Sequence, residues 1–228
     1  MIPPKSIFPA CLLGAFSIPA SSAVLAGYNF NGDNLAQTDG LLGGGNAVLS
    51  GGARFPTPGD GSVEFPHGNT AGSLAASITA NDYVGFTVTN NTGQPATLDT
   101  LTFDWWFNSP NASGTQFYRI DLLSSRLAFA DGNAIAGREF GEGATPGVGF
   151  NAHDTRANAY ANTFNVSSLG TLAASESIEF RLYYSTNRTT FSTDTVIDNL
   201  ALNGTAVPEP SAALLGALGL LALLPRRR

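Results

Sequence analysis

Residues 83–107 read YVGFTVTNNTGQPATLDTLTFDWWF and contain the two clearest strand patterns of the chain. Within residues 83–89 and 98–107, apolar and polar side chains alternate with the period of two that places them on opposite faces of a strand. Residues 90–93, NNTG, are typical of a turn. The stretch therefore predicts two strands joined as a β-hairpin.

The same alternation recurs in short runs separated by turn residues, and no helical stripe competes with it. Further strands are predicted near residues 62–65, 73–78, 116–123, 161–166, 177–184 and 195–202. Residues 130–161 are Gly-rich and weakly periodic, which predicts a long surface excursion suited to a variable site. Eight or nine strands in two sheets predict an all-β, antiparallel, jelly-roll-like β-sandwich.

Charged residues are scarce, and most of them are acidic. Residues 27–207 contain 7 Arg, no Lys and 16 Asp plus Glu, a formal charge of −9. Nucleic acid would be repelled by this balance, whereas neutral glycans, divalent cations or a basic partner would not. The only cysteine, Cys11, lies in the segment that we expect to be removed, so no disulfide can stabilise the mature domain.

The N-terminus has the organisation of a secretory signal peptide. Lys5 precedes an apolar stretch at residues 7–18, and small residues follow as far as Ala26. We therefore expect residues 1–26 to be a signal peptide cleaved after Ala26, which leaves residues 27–206 as the folded domain. A strand is the alternative, but four prolines interrupt this region.

The C-terminal residues 207–228 comprise a proline-containing motif, an apolar run at 212–224 and a basic end. The prolines keep the motif extended and accessible to an enzyme. The 13-residue run would form about 20 Å of helix, short for a bilayer core of about 30 Å. The motif consists of Val207, Pro208, Glu209 and Pro210, and the membrane stop of Arg226, Arg227 and Arg228.

These residues closely resemble the PEP-CTERM sorting signal, a tail that also carries the name ice-binding protein C-terminal domain. The resemblance covers about a tenth of the chain, with all three parts in order. It implies that exosortase, a membrane enzyme similar to cysteine transpeptidases, cleaves at the motif in bacteria that make extracellular polysaccharide. The protein would be anchored in the inner membrane in transit, then reach the cell surface or the extracellular space. The alternative is a buried helix with a basic tail.

The run at residues 177–184, SIEFRLYY, followed by Ile197-Asp198-Asn199-Leu200, resembles the C-terminal half of many domains attached to this signal. Those domains are similar in form to carbohydrate-binding jelly rolls. Because a fold does not determine a function, the resemblance implies only a candidate class.

The aromatic strand offers a candidate sugar site. Leu101, Phe103, Trp105 and Phe107 share one face, while Thr102, Asp104 and Trp106 share the other. On a solvated face, the Trp106 ring could stack on a sugar while Asp104 accepts hydrogen bonds from its hydroxyls. The alternative is that both tryptophans are packed.

Asp198 is a candidate metal ligand. An unbroken strand would point it, with Val196, Leu200 and Leu202, into an apolar layer, where a carboxylate needs a partner. The resemblance to carbohydrate-binding jelly rolls implies calcium, held with an acid such as Asp33. An arginine pair or a β-bulge that turns Asp198 outward are the alternatives.

We identify no catalytic residue: His67 and His153 lack a nucleophile or a metal-binding partner in the sequence. The favoured function is therefore a non-catalytic surface or matrix protein with a structural or adhesive role, whose partners are exosortase and extracellular polysaccharide. A calcium-stabilised lectin-like module is the first alternative. A glycan hydrolase, which needs two carboxylates facing each other across a cleft, is the second.

Overall fold

The computed structural model describes residues 22–31, 35–55, 61–65, 72–108, 117–141, 156–187, 194–206 and 219. Within these ranges the chain forms two antiparallel β-sheets and one short α-helix. No helix in the described part of the chain is long and apolar enough to cross a bilayer. Asp33, both histidines, the motif at 207–210 and the three terminal arginines lie outside the described residues, so the predictions made for them stay predictions.

The strands are numbered in chain order. They are β1 Ala23–Tyr28, β2 Gly43–Gly44, β3 Val48–Leu49, β4 Val63–Phe65, β5 Tyr83–Thr89, β6 Ala96–Asn108, β7 Phe117–Ser124, β8 Ala136–Gly141, β9 Tyr160–Asn165, β10 Thr171–Leu172, β11 Ser177–Thr186 and β12 Asp194–Ala206; helix α1 is Leu74–Ala80.

Each sheet is organised around its longest strands. In sheet A, β12 pairs with β6 on one side and with β1 and β4 on the other, while β9 and β10 pair with the far edge of β6. In sheet B, β11 lies between β5 and β7; β8 extends the sheet beyond β7, and β2 and β3 extend it beyond β5. Most strand predictions are therefore confirmed, and so is the antiparallel β-sandwich.

The core lies between the two sheets and is rich in aromatic rings. Leu101, Phe103, Trp105 and Phe107 of β6 are buried in it, as the alternation predicts. Rings of sheet A meet rings of sheet B at centroid distances that favour attractive edge or offset contacts. These pairs are Trp105–Phe140 at 4.5 Å, Phe107–Tyr118 at 5.1 Å, Phe65–Tyr184 at 5.2 Å and Tyr28–Phe86 at 5.3 Å.

The predicted hairpin of β5 and β6 is wrong, because the two strands belong to different sheets. Buried Asn90 organises the connection between them. Its Nδ2 donates to the carbonyls of Gln94 at 2.7 Å and Leu172 at 2.8 Å, and its Oδ1 accepts from the Thr92 backbone at 3.1 Å and hydroxyl at 2.8 Å. The turn therefore carries the chain across the sandwich instead of reversing it within one sheet.

The strand predicted at residues 73–78 is also wrong, since most of it lies in α1. Ser73 caps the helix by accepting a hydrogen bond from the Ala76 backbone at 3.3 Å, and Asn81 ends it in the left-handed conformation at φ 55°. The buried Ser77 hydroxyl donates to the Tyr184 carbonyl, which docks the helix on β11. In so short an apolar run, the helical period of 3.6 residues is hard to distinguish from the strand period of two.

Asn90→Ala should lower the free energy of unfolding by about 2 kcal/mol, because it leaves the buried Leu172 carbonyl without its side-chain donor. Urea denaturation would measure the change. Asn91→Ala, at the exposed neighbouring position, is the matched control and should change stability little. Equal effects of the two substitutions would contradict this role for Asn90.

Candidate functional site

The last strand contains a β-bulge at Asn199. Asp198 pairs with Asp104 of β6, but the next paired residue is Ala201, opposite Thr102. Asn199 adopts the left-handed conformation at φ 50°, which asparagine tolerates better than most residues. The bulge reverses the alternation, so that the residues after it change faces.

This reversal separates two sets of side chains that an unbroken strand would place together. Leu200 and Leu202 belong to the core cluster, whereas Val196 and Asp198 do not. Val196 pairs with Trp106, which is also absent from the core cluster. Asp198 therefore lies on the outer face of sheet A.

Asp198 is nevertheless fully buried, because other polar groups cover it. Arg156, from a 3-10 turn at Arg156–Asn158, donates to Asp198 Oδ2, and the Asn199 backbone donates to Asp198 Oδ1 at 2.7 Å. The Asn199 side chain in turn donates to Asp104 Oδ2 at 2.7 Å. We call Asp104, Trp106, Arg156, Asp198 and Asn199 the Asp198 cluster.

Of the alternatives for Asp198, the structure shows the arginine pair and the bulge together. Burial raises the pKa of the Asp198 carboxyl, and the hydrogen bonds from Asn199 and Arg156 oppose that rise. In the described part of the chain, no group of three or more His, Cys, Asp or Glu side chains is arranged to hold a metal ion. Calcium at Asp198 and Asp33 stays a prediction, since Asp33 lies outside that part.

Trp106 lies on the outer face, as the alternation predicts, but only 3% of it is exposed. The Arg156 guanidinium carbon lies 5.9 Å from the centroid of its ring, within range of a cation–π contact. The condition for sugar stacking, an open ring face beside Asp104, is therefore not met in this structure.

A shallow groove of about 170 Å³ adjoins the Asp198 cluster on sheet A. Its lining includes Asn29, Thr38, Asp39, Asn199 and Ala201. With Trp106 covered, this groove is a candidate position on sheet A for a small ligand.

The outer face of sheet B contains a different arrangement. Arg181 of β11 points outward between two half-buried rings, with its guanidinium carbon 4.4 Å from the Tyr83 ring centroid and 3.8 Å from that of Phe129. Tyr83 belongs to β5, whereas Phe129 lies in the loop between β7 and β8. We call Tyr83, Phe129, Glu179, Arg181 and Tyr183 the Arg181 face.

Hydrogen bonds fix the orientation of Arg181. Its Nε donates to Glu179 Oε1 at 2.6 Å, and its Nη1 donates to the Tyr183 hydroxyl at 3.3 Å. Among the described residues, Arg181 Nη2, Glu179 Oε2 and the Tyr83 hydroxyl have no hydrogen-bond partner. This face therefore combines aromatic rings with polar atoms that can still form hydrogen bonds.

A second arginine pair lies on the same sheet. Arg119 donates to both oxygens of the fully buried Asp121, at 2.7 Å each, and these hydrogen bonds raise the pKa of the Arg119 guanidinium. The pair lies directly over Gly137, where a Cβ would come within 2.3 Å of Asp121 Oδ1. Glu139 lies 3.7 Å from Arg119 Nη1 and completes the group.

Sequence reasoning singled out the tryptophans and missed the Arg181 face. The alternation of β5 and β11 already places Tyr83 and Arg181 opposite the core positions, so this part of the face was available as a signal. The contribution of Phe129 could not be predicted from the sequence, because no periodic pattern places a loop side chain over a distant strand.

No protein-family model and no curated protein matches the sequence. Among solved structures, the chain is similar to a carbohydrate-binding module specific for non-crystalline cellulose, at 10% identity, over 68% of this chain and 86% of that one, with a TM-score of 0.39. It is also similar to a carbohydrate-binding module that recognises mannan, at 12% identity over 82% and 100%, with a TM-score of 0.36.

A third similar structure is the K1 cleaved adhesin domain of Lys-gingipain from Porphyromonas gingivalis, at 14% identity over 81% of this chain and 97% of that one, with a TM-score of 0.31. Scores this low carry no argument. The architecture and the sites therefore rest on the contacts described above.

Arg156→Gln should lower the free energy of unfolding by about 1–3 kcal/mol at neutral pH, because it leaves the buried Asp198 carboxylate without its cation. The pKa of Asp198 in the folded protein should rise further above its unfolded value. The folded state then binds the proton more tightly, so the deficit relative to wild type should shrink as the pH falls toward 3.8.

Thermal melts of both proteins across this pH range would measure the effect. The double variant Asp198→Asn/Arg156→Gln should recover part of the loss at neutral pH, because no unpaired charge is then buried. A deficit that is independent of pH and equal in the single and double variants would contradict the pairing.

Proposed function

We propose that this chain is a non-catalytic β-sandwich that binds neutral polysaccharide through the Arg181 face after export to the cell surface or extracellular matrix. The observation that carries the proposal is the guanidinium of Arg181 held between the rings of Tyr83 and Phe129, beside polar atoms without a protein partner. Those groups are fixed before any ligand arrives, which lowers the entropic cost of binding.

The chemistry of this face matches the two sides of a sugar ring. The rings of Tyr83 and Phe129 each have one face against the Arg181 guanidinium, but both are only half-buried, unlike Trp106. Their remaining exposed surface is apolar and can contact the C–H groups of a sugar ring, and Tyr83 adds a hydroxyl. The Arg181 Nη2 can donate to a sugar oxygen, and Glu179 Oε2 can accept from a sugar hydroxyl. A few placed polar groups on an apolar base are what small-ligand sites use for specificity.

Charge favours a neutral ligand over an acidic one. Within the part of the chain that the structure describes, the outer face of sheet B has Arg119 and Arg181 beside three carboxylates, from Asp121, Glu139 and Glu179. Residues 27–207 also have an excess of nine acids. An anionic polysaccharide would therefore be repelled at long range, and a neutral one would not.

The two ends of the sequence support export and sorting. The proposed route is secretion directed by the N-terminal signal, temporary anchoring by the helix at 212–224, and cleavage by exosortase at the motif at 207–210. The three terminal arginines would remain on the cytoplasmic side, so the sandwich would face outward.

Arg181→Gln and Tyr83→Ala should each weaken binding to the best ligand from a neutral-glycan array by about tenfold or more, because each removes a contact worth about 1–3 kcal/mol. Titration calorimetry of the purified protein would measure the loss. Arg54→Gln is the matched control, since Arg54 is bridged and ion-paired to Glu64 of β4 in sheet A and its side chain is 60% exposed.

Cooperative thermal melts, with midpoints above the temperature of the titration, would show that the variants still fold. An array that is silent for the wild-type protein, or an equal loss in Arg54→Gln, would contradict the glycan proposal.

Replacing Pro208 and Pro210 with alanine should leave the protein in the inner membrane with its C-terminal tail attached, because the extended, donor-poor motif is lost. Cell fractionation and intact mass would measure this. Pro95→Ala, in the turn before β6, should be processed like the wild type. Normal processing of the double proline variant would refute exosortase sorting.

A further inference from the structure

Strand β1 begins within the segment predicted to be removed on export. It runs from Ala23 to Tyr28, so cleavage after Ala26 would discard four of its six residues. Leu25 and Ala26 are fully buried and belong to the core cluster. A signal peptide is normally discarded, whereas these residues form part of the folded domain.

Backbone hydrogen bonds from other segments of the protein hold both edges of β1. On one side, β1 pairs with β12 from Ala23 opposite Gly204 to Tyr28 opposite Leu200. On the other, the Leu41 backbone donates to the Val24 carbonyl at 3.1 Å and the Leu42 backbone donates to the Leu25 carbonyl at 2.9 Å.

The side chain of Leu25 packs closely against β12 beside Gly204. A Cβ on Gly204 would come within 2.0 Å of the Thr97 carbonyl oxygen and 2.7 Å of Leu25 Cδ1, so Gly204 allows both the backbone of β6 and the side chain of Leu25 to approach β12 closely. Loss of Leu25 would leave a cavity and uncover β12 where it pairs with β1. It would also create a charged amino group at Gly27, whose N–H now donates to the Asp39 carbonyl at 2.7 Å.

We propose that the export signal is cleaved upstream of Val24, at the Ser22–Ala23 bond, so that β1 is retained in the mature protein. Ala20 and Ser22 then supply the small residues that a signal peptidase needs at the third and first positions before the cut. The step is hydrolysis of one peptide bond, in which water gives its hydroxyl to the Ser22 carbonyl carbon and its proton to the Ala23 nitrogen.

This inference rests on the proposed export of the protein, and one experiment tests the cleavage site and export separately. The full chain is produced in a bacterium that carries exosortase, and the N-terminus of the exported protein is sequenced. An N-terminus at Ala23 supports the inference, and one at Val24 or beyond overturns it. An N-terminus at Gly27 overturns it and leaves export intact, whereas an uncleaved chain starting at Met1 in the cytosol overturns both.

Two variants locate the cut independently. Ser22→Tyr places a bulky side chain directly before the proposed bond and should reduce the yield of the Ala23 form at least tenfold. Ala26→Val places extra bulk before the alternative bond and should leave the N-terminus unchanged. Because processing precedes folding on the outer side of the membrane, it can be read in pulse-labelled chains even if a variant is unstable. The opposite pattern would overturn the proposal.

Discussion

The bulge at Asn199 is the constraint on which sheet A depends. Strand β12 bonds to β1, β4 and β6, so its register determines the positions of three other strands. Without the extra residue, Asp198 would share a face with Leu200 and Leu202, and a carboxylate would enter the core. With it, the leucines pack inward and the carboxylate meets Arg156 on the outer face.

The two outer faces of the sandwich differ in the polar and aromatic groups that remain free to contact a ligand. On sheet A, Arg156 neutralises Asp198 and covers Trp106, so the most conspicuous polar and aromatic groups are already paired. On sheet B, Arg181 is held between two rings while one of its nitrogens lacks a partner among the described residues. This difference is the physical reason why we propose that a ligand binds on sheet B.

Local pattern predicted the strands but not how they pair. The alternation in residues 83–89 and 98–107 is intrinsic to each segment, so both strands and their buried faces could be predicted. Their assignment to different sheets is set by pairing with β11 and β12, which are far away in the sequence. Likewise, the predicted signal peptide, residues 1–26, includes the first four residues of β1, because burial against β12 is not visible in an apolar N-terminal run.

The candidate sites, too, could be predicted from the sequence only in part. Asp198 was predicted to need a partner, and the alternatives included the pairing found, but the sequence could not identify Arg156, 42 positions away. The outward position of Tyr83 and Arg181 follows from strand alternation, whereas Phe129 reaches them only through the folded loop. Composition restricted the ligand class to neutral or cationic partners, and geometry then favoured sheet B.

Nuclear magnetic resonance of the labelled protein, titrated with the strongest neutral glycan from an array, tests the central claim most directly. We predict saturable shifts in the amide and side-chain signals of Tyr83, Phe129 and Arg181, with the outer face of sheet A unaffected. Shifts confined to the groove beside Asn199, or the absence of any saturable shift, would contradict the account.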